Sequence, residues 1–213
     1  MNFYERYRAQ WDFLNVSRET FLKLSAFIDL FEERQKRDNL ISRRETENIW
    51  KRHVLDSAQL LKNVSRETIS GTDFGSGGGF PGIILSILDP NIHFKLVEAS
   101  LKKATFLREV GQSLTLNITV FNDRIEALVP WKETLITARA LAPLERLIPL
   151  LYPFTNSSTH LILPKGKKVY EELQEFEKNW KAHVKIVKSI TSDEGHILCL
   201  TDLKPKNKVK KSK

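Results

Sequence analysis

The sequence predicts an α/β fold: a seven-stranded, mainly parallel sheet with an antiparallel last strand, preceded by a helical extension. Three observations carry this. From residue 68 onward, short apolar runs of strand character alternate with helical runs, the pattern of a parallel sheet covered on both faces. The last two strand runs, 183–190 and 195–201, lie too close for a crossover helix, so they form an antiparallel hairpin. Before residue 65 the apolar residues recur at helical spacing.

Residues 3–14 and 18–36 read as helices. Ser17 is placed to cap the second, with Glu19 in its first turn and Phe21, Leu24, Phe27, Ile28 and Phe31 as its apolar stripe. Ser42-Arg43-Arg44-Glu45 is a capping box and starts a third helix, whose stripe is Trp50, Val54, Ala58 and Leu61. Strands are expected at 69–74, 93–98, 117–121, 134–138, 159–163, 183–190 and 195–201. Helices are expected at 80–88, 101–114, 143–152 and 167–180. The first strand is the least typical, because Ser70-Gly71-Thr72 has low strand propensity. The chain therefore divides into a helical extension (1–64), an α/β domain (65–203) and a basic tail (204–213).

Composition narrows the class. A hydrophobic content of 41% over 213 residues is enough to bury a core. No apolar stretch approaches the ~18 residues of a membrane span, and Met1-Asn2-Phe3-Tyr4-Glu5-Arg6 has no secretory h-region. The single Cys199 cannot form an internal disulfide and reads as a small buried apolar residue, so a reducing cytoplasm is expected. No His/Cys set has metal-ligand spacing, so no metal is expected. The net charge is +8, but 204–213 holds six lysines and no acid, which leaves +2 on the rest. That tail either contacts nucleic acid phosphates or serves as a solubilising end.

Residues 72–82 read Thr-Asp-Phe-Gly-Ser-Gly-Gly-Gly-Phe-Pro-Gly. Gly75, Gly77, Gly78 and Gly79 let the backbone turn sharply and approach a ligand. Pro81 suits the first turn of a helix, and Asp89-Pro90 ends the apolar run that follows. Strand, glycine turn and helix N-terminus together make a nucleotide-cofactor site. Two cofactors compete for it. Residues 77–82 fit the G-x-G-x-x-G pattern of NAD(P)-dependent oxidoreductases, with a pyrophosphate on the helix N-terminus. Residues 75–79 fit the G-x-G-x-G turn of S-adenosylmethionine (SAM) enzymes. Asp73 favours the second, because a carboxylate there would repel a pyrophosphate. It could attract the amino group of the methionine moiety, or accept amides of the loop. Glu98 closes the second strand and can accept both ribose hydroxyls of either cofactor.

Asp123-Arg124-Ile125-Glu126 follows the third strand and either borders the adenine or is an ordinary helix start. Arg52, His53, Asp56 and Ser57 share one side of the third helix, as a solvated salt-bridge face or as a polar cluster closing the pocket. Arg139 ends the fourth strand, at the ligand edge of an open sheet. It is costly to desolvate alone, so it meets either a protein carboxylate or an anion of substrate or cofactor. Lys165 ends the fifth strand at the same edge and adds positive charge for a phosphate-rich substrate.

Asn39-Leu40, Arg52-His53 with Asp56-Ser57, Asp73 through Gly82, Arg124-Ile125-Glu126, Arg139-Ala140 and Lys165-Gly166 occur in order. In these segments the chain resembles the small-subunit ribosomal RNA methyltransferase G family. Ile41, Gly78 and Ala138 stand where that family commonly has Thr, Pro and Ser. The resemblance implies a class I, Rossmann-like SAM-dependent methyltransferase that methylates N7 of one guanine in 16S rRNA. It implies that Gly75 and Phe80 line the SAM site, that Ile125 and Glu126 flank adenine, and that Arg139 contacts SAM or the reaction centre. With the residues read above, Asp73, Gly75, Gly77, Gly79, Phe80, Glu98, Ile125, Glu126 and Arg139 are expected at the cofactor. Arg139, Asn39, His53 and Asp56 are expected at the reacting base, and Arg52 and Lys165 at the RNA. Guanine N7 has an in-plane lone pair and no proton to lose, so no general base is needed. The expected partner is 16S rRNA in the 30S subunit or its precursor, and the chain is expected to act as a monomer. The alternatives are an NAD(P)-dependent oxidoreductase and a non-catalytic ribosome-associated protein that keeps the SAM fold.

Overall fold

The computed structural model describes residues 16–42, 46 and 48–206. The expected helix over 3–14, the Arg43–Glu45 part of the capping box and tail residues 207–213 lie outside the described residues. The first described helix, α1, spans Arg18–Asp38. The Ser17 hydroxyl accepts the Thr20 amide at 3.2 Å, which satisfies one of the unpaired donors of the first turn. All five residues of its expected apolar stripe are buried.

The third helix is not regular. It runs as a π-helix over Trp50–Leu55, an α-helical turn over Asp56–Ala58 and a 3-10 turn over Gln59–Asn63. The expected α-helical register therefore fails here. The wider π turn buries His53 beside Trp50 and Val54, where a regular helix with Trp50 and Val54 inward would leave His53 at the edge of the stripe.

The sheet comprises β1 (Ser70–Phe74), β2 (His93–Val97), β3 (Ile118–Phe121), β4 (Leu135–Ala138), β5 (His160–Lys165), β6 (Trp180–Lys188) and β7 (His196–Pro205). Their spatial order is β3-β2-β1-β4-β5-β7-β6. The first five pair in parallel, and β7 runs antiparallel between β5 and β6. Helices α2 (Gly82–Leu88), α3 (Leu101–Ser113), α4 (Leu144–Leu151) and α5 (Val169–Asn179) follow β1, β2, β4 and β5. β6 starts at Trp180, directly after α5 and earlier than the sequence pattern suggests. β7 continues through Lys204 and Pro205, and the Lys206 amide donates to the Asn179 carbonyl at 2.7 Å, so the strand enters the basic segment.

Alternation along the strands sorts the core into two layers. Leu135 and Ile162 face a layer built with α1, the π-helical segment, α2 and α3. Ile136, Leu161 and Leu163 face the layer built with α4 and α5. The described part of the helical extension thus shares one continuous core with the sheet. Phe27 and Phe31 of α1 each lie 5.4 Å from the Phe80 ring, so the extension braces the glycine turn directly. No helix among the described residues is long and apolar enough to cross a membrane.

Candidate active site

Strand order reverses between β2 and β4 around β1, and ligands bind open α/β sheets at such a point, outside the carboxyl ends of the strands. Phe74, Val97 and Ala138 are level in the register, so Gly75, Glu98 and Arg139 emerge side by side at one edge. A cavity of about 620 Å³ opens there. Gly75, Gly77, Phe80, Glu98, Ile125, Glu126, His53 and Arg139 all line it. Asp73 and Gly79, also expected at the cofactor, are not among its lining residues.

Asp73 is 0% exposed and lies beneath the turn. One carboxylate oxygen accepts the Thr137 hydroxyl at 2.7 Å, and the other accepts the Gly82 amide at 3.1 Å. The Ser76 hydroxyl donates to the Asp73 carbonyl at 2.9 Å. Of the two roles open to it, loop organiser is the one the geometry supports. Burial pushes its carboxyl up to about 6, although the bonds from Thr137 and Gly82 and the positive field of Arg139 favour the charged form. A side chain on Gly82 would come within 2.4 Å of Leu96 and 2.8 Å of Asp73, so glycine is required where α2 starts against β1 and β2.

Gly77 has φ +57°, a left-handed conformation that favours glycine. A Cβ there would meet nothing closer than the Gly75 carbonyl oxygen at 3.8 Å, so the space above the turn is open. The Gly77 amide donates to one oxygen of Glu98 at 2.8 Å, and the Ser100 amide to the other at 2.7 Å. Each oxygen keeps a further lone pair, the acceptor capacity that a pair of ribose hydroxyls needs. Ile125, at the start of the 3-10 turn Ile125–Ala127, is buried and offers an apolar face, while Glu126 is exposed. The donor and acceptor set, the open cradle and the apolar wall together fit an adenosine.

The polar cluster of the third helix is brought to Arg139. The guanidinium donates to Asp56 at 3.3 Å, to the Arg52 carbonyl at 3.2 Å and to Nδ1 of His53. A guanidinium has no acceptor, so His53 accepts through Nδ1 and carries its proton on Nε2. The His53 and Phe80 ring centroids are 4.9 Å apart, and Arg139 lies 5.6 Å from the Phe80 centroid. Arg139 therefore meets a protein carboxylate; of the cluster only His53 lines this cavity, while Arg52 and Asp56 line the larger one beside it.

A second cavity of about 860 Å³ adjoins the first, and residues Arg139–Ala142 line both. Lys51, Arg52, Arg139, Arg146 and Lys165 make it basic, against Asp56 and Glu172. Lys165 is less free than the sequence pattern suggests. Its side chain is 7% exposed and pairs with Glu172 at 2.8 Å, while the same Glu172 oxygen accepts the Leu144 amide that starts α4. Asn39 departs further. It ends α1 in a left-handed conformation at φ 48° and lines a separate small cavity beside α1. Residues Leu40, Ile41 and Ser42 reach the cofactor cavity in its place.

Several contributors were not visible in the sequence. Thr137 faces Asp73 only because β1 and β4 pair in that register. Asn122 donates to the Glu98 and Ala99 carbonyls at 2.9 and 3.2 Å and so orients the turn after β2. Gln59 and Thr191 both reach Asp56. No local pattern marks any of them. Among the described residues no cluster of His, Cys, Asp or Glu could hold a metal ion.

A family model described as rRNA small subunit methyltransferase G matches residues 21–199. The chain is 41% identical over 194 residues to the Ribosomal RNA small subunit methyltransferase G of Cereibacter sphaeroides, covering 89% of this chain and 94% of that protein. It is 36% identical over 201 residues to the protein of the same name from Zymomonas mobilis, covering 91% and 90%. Among solved structures, a SAM dependent methyltransferase from Aquifex aeolicus superposes with a TM-score of 0.58 at 14% identity, over 73% of this chain and 93% of that one. A ribosomal protein L11 methylase from Lactobacillus delbrueckii subsp. bulgaricus gives 0.57 at 18% identity, over 70% and 78%. The two structural likenesses show the class I methyltransferase fold, and the sequence matches settle the rest: this chain belongs to the rRNA small subunit methyltransferase G family.

Proposed function

We propose that the chain is a SAM-dependent methyltransferase that holds its cofactor in the 620 Å³ cavity and modifies N7 of a guanine in 16S rRNA received by the adjoining basic cavity. The observation that carries the choice of cofactor is the Asp73 carboxylate on the Gly82 amide. A dinucleotide would place its pyrophosphate at that helix N-terminus, where an anion of the protein already sits. Glu98 would hold the ribose, Ile125 would pack on the adenine, and Gly77 leaves the approach clear. Bound there, SAM supplies an electrophilic methyl group on a sulfonium.

The protein's own part is positioning. Phe80 and His53 form one wall, and Arg139 stands where the cavities meet. The His53 lone pair at Nδ1 is committed to Arg139, and the Asp73 carboxylate is shut beneath the loop. Neither is placed to remove a proton from a base in the larger cavity, and a nucleophile that carries no proton asks for none. The natural partner in this reading is the 30S subunit or its precursor, met in the cytoplasm by a single copy of the chain.

The test is mass mapping of 16S rRNA from cells with and without the protein, joined to methyl transfer from labelled SAM to 30S particles in vitro. One guanine is expected to lose its methyl group without the protein and to regain it with enzyme and SAM. An unchanged map, with no transfer in vitro, would leave only a binding role.

A further inference from the structure

The turn that joins β6 to β7 closes onto the active site. Gln59, buried in the 3-10 segment of the third helix, accepts the Ile190 amide at 2.9 Å. Its Nε2 donates to the Ser189 hydroxyl at 3.1 Å and to Oδ1 of Asp56 at 2.8 Å. The Thr191 hydroxyl donates to the same Oδ1 at 2.6 Å. The other oxygen of Asp56 receives Arg139 at 3.3 Å. A row of contacts thus runs from an outer turn, through one carboxylate, to the arginine that stands between the two cavities.

The two donors on Oδ1 do different work from the one on Oδ2. The terminal torsion of an aspartate is broad, so an unanchored carboxylate turns readily. Two donors on one oxygen hold its plane and leave the second oxygen aimed at Arg139. Charge-assisted bonds of this kind are the stronger ones in a protein. The Arg139 guanidinium is held in turn by Asp56, the Arg52 carbonyl and His53.

Resting on the reading of the site given above, we infer that Thr191, together with Gln59, is a positioning residue of the methyl transfer: it fixes Asp56 so that Arg139 keeps its aim at the junction of the cofactor and substrate cavities. Thr191 acts through Asp56. The β6–β7 turn thereby belongs to the active site, although it lies 135 residues along the chain from that carboxylate.

The deciding measurement needs no turnover. In the ligand-free protein labelled with ¹⁵N-arginine, a guanidinium held at both ends rotates slowly about Nε–Cζ and shows separate Nη resonances. Arg139 is expected to show them in the natural protein, with R139Q supplying the assignment. Thr191→Val removes the donor at almost constant volume and should merge those resonances; Thr191→Ser keeps the hydroxyl and should restore them. With 30S particles, Thr191→Val should lower kcat by about tenfold, with the KM for SAM within about twofold, and Thr191→Ser should recover the rate. Separate Nη resonances persisting in Thr191→Val would overturn the inference, whatever the activity. A merged spectrum in a protein that never methylates rRNA would instead sink the proposed function and leave the positioning role standing.

Discussion

Asp73 shows how one side chain can set both architecture and pH response. Its carboxyl titrates at about 6 in the folded chain against 3.8 for the ordinary group. The folded state therefore binds more protons than the unfolded state between those values, and stability falls as pH rises through that window. The size is roughly 3 kcal/mol, from about two pKa units at 1.36 kcal/mol each. Denaturant unfolding of the natural chain and Asp73→Asn from pH 4 to 7 should show the natural chain losing that much more stability than the variant. Parallel curves would show that Asp73 does not titrate in this window. Gly77 carries the complementary prediction. Valine there adds a β-branched side chain at φ +57°, in the space left for the ligand. It should abolish SAM binding and leave the molecule folded, at a local cost of about 1–3 kcal/mol. Micromolar affinity retained by calorimetry would refute the loop assignment.

At the level of elements, the glycine turn is supported from two sides. Below it, the start of α2 lies so close to Asp73 of β1 and Leu96 of β2 that a Cβ on Gly82 would overlap both. Gly82→Ala should cost about 1–3 kcal/mol by overpacking, read as a lower urea midpoint with an unchanged m-value. A midpoint equal to that of the natural chain would mean that α2 can move away from the strand without penalty. Beside the turn, α1 places Phe27 and Phe31 against Phe80, whose other neighbours are His53 and Arg139. The π-helical segment completes this wall. An extra residue in the turn lets His53 point inward while Trp50 and Val54 stay in the core. An element outside the sheet thus decides where the reaction cavity ends.

Across the whole molecule, the site and the last described residues, Lys204–Lys206, lie at opposite ends of the sheet. His196 of β7 pairs with Lys165, at the ligand edge, and β7 runs from there to Pro205. At ~3.3 Å per residue that is about 30 Å. Lys181 and Lys204 are exposed at the far end, where they pair with each other across β6 and β7. Lysines 208, 210, 211 and 213 follow. Truncation after Lys206 removes four lysines and leaves β7 whole. It should flatten the log–log salt dependence of RNA binding by up to ~3. An unchanged slope would reduce the tail to a solubility device.

The alternation of strand and helix, the Ser17 cap, the glycine turn and the acid after β2 were legible because each is written in neighbouring residues: a period, a cap, a preset φ, a strand end. From these alone came the sheet class and the nucleotide-cofactor site, with Gly75, Gly77, Phe80 and Glu98 among the residues that line the cavity. Tertiary structure decided the rest, because the deciding contacts join residues far apart in the chain. Thr137 meets Asp73 across 64 residues, Arg139 meets Asp56 across 83, and Thr191 meets Asp56 across 135. Strand register put Asp73 beneath the loop, a π turn moved His53 inward, and Glu172 took the charge of Lys165. Local propensity encodes none of these, since each depends on which buried polar group finds a partner once the layers have closed.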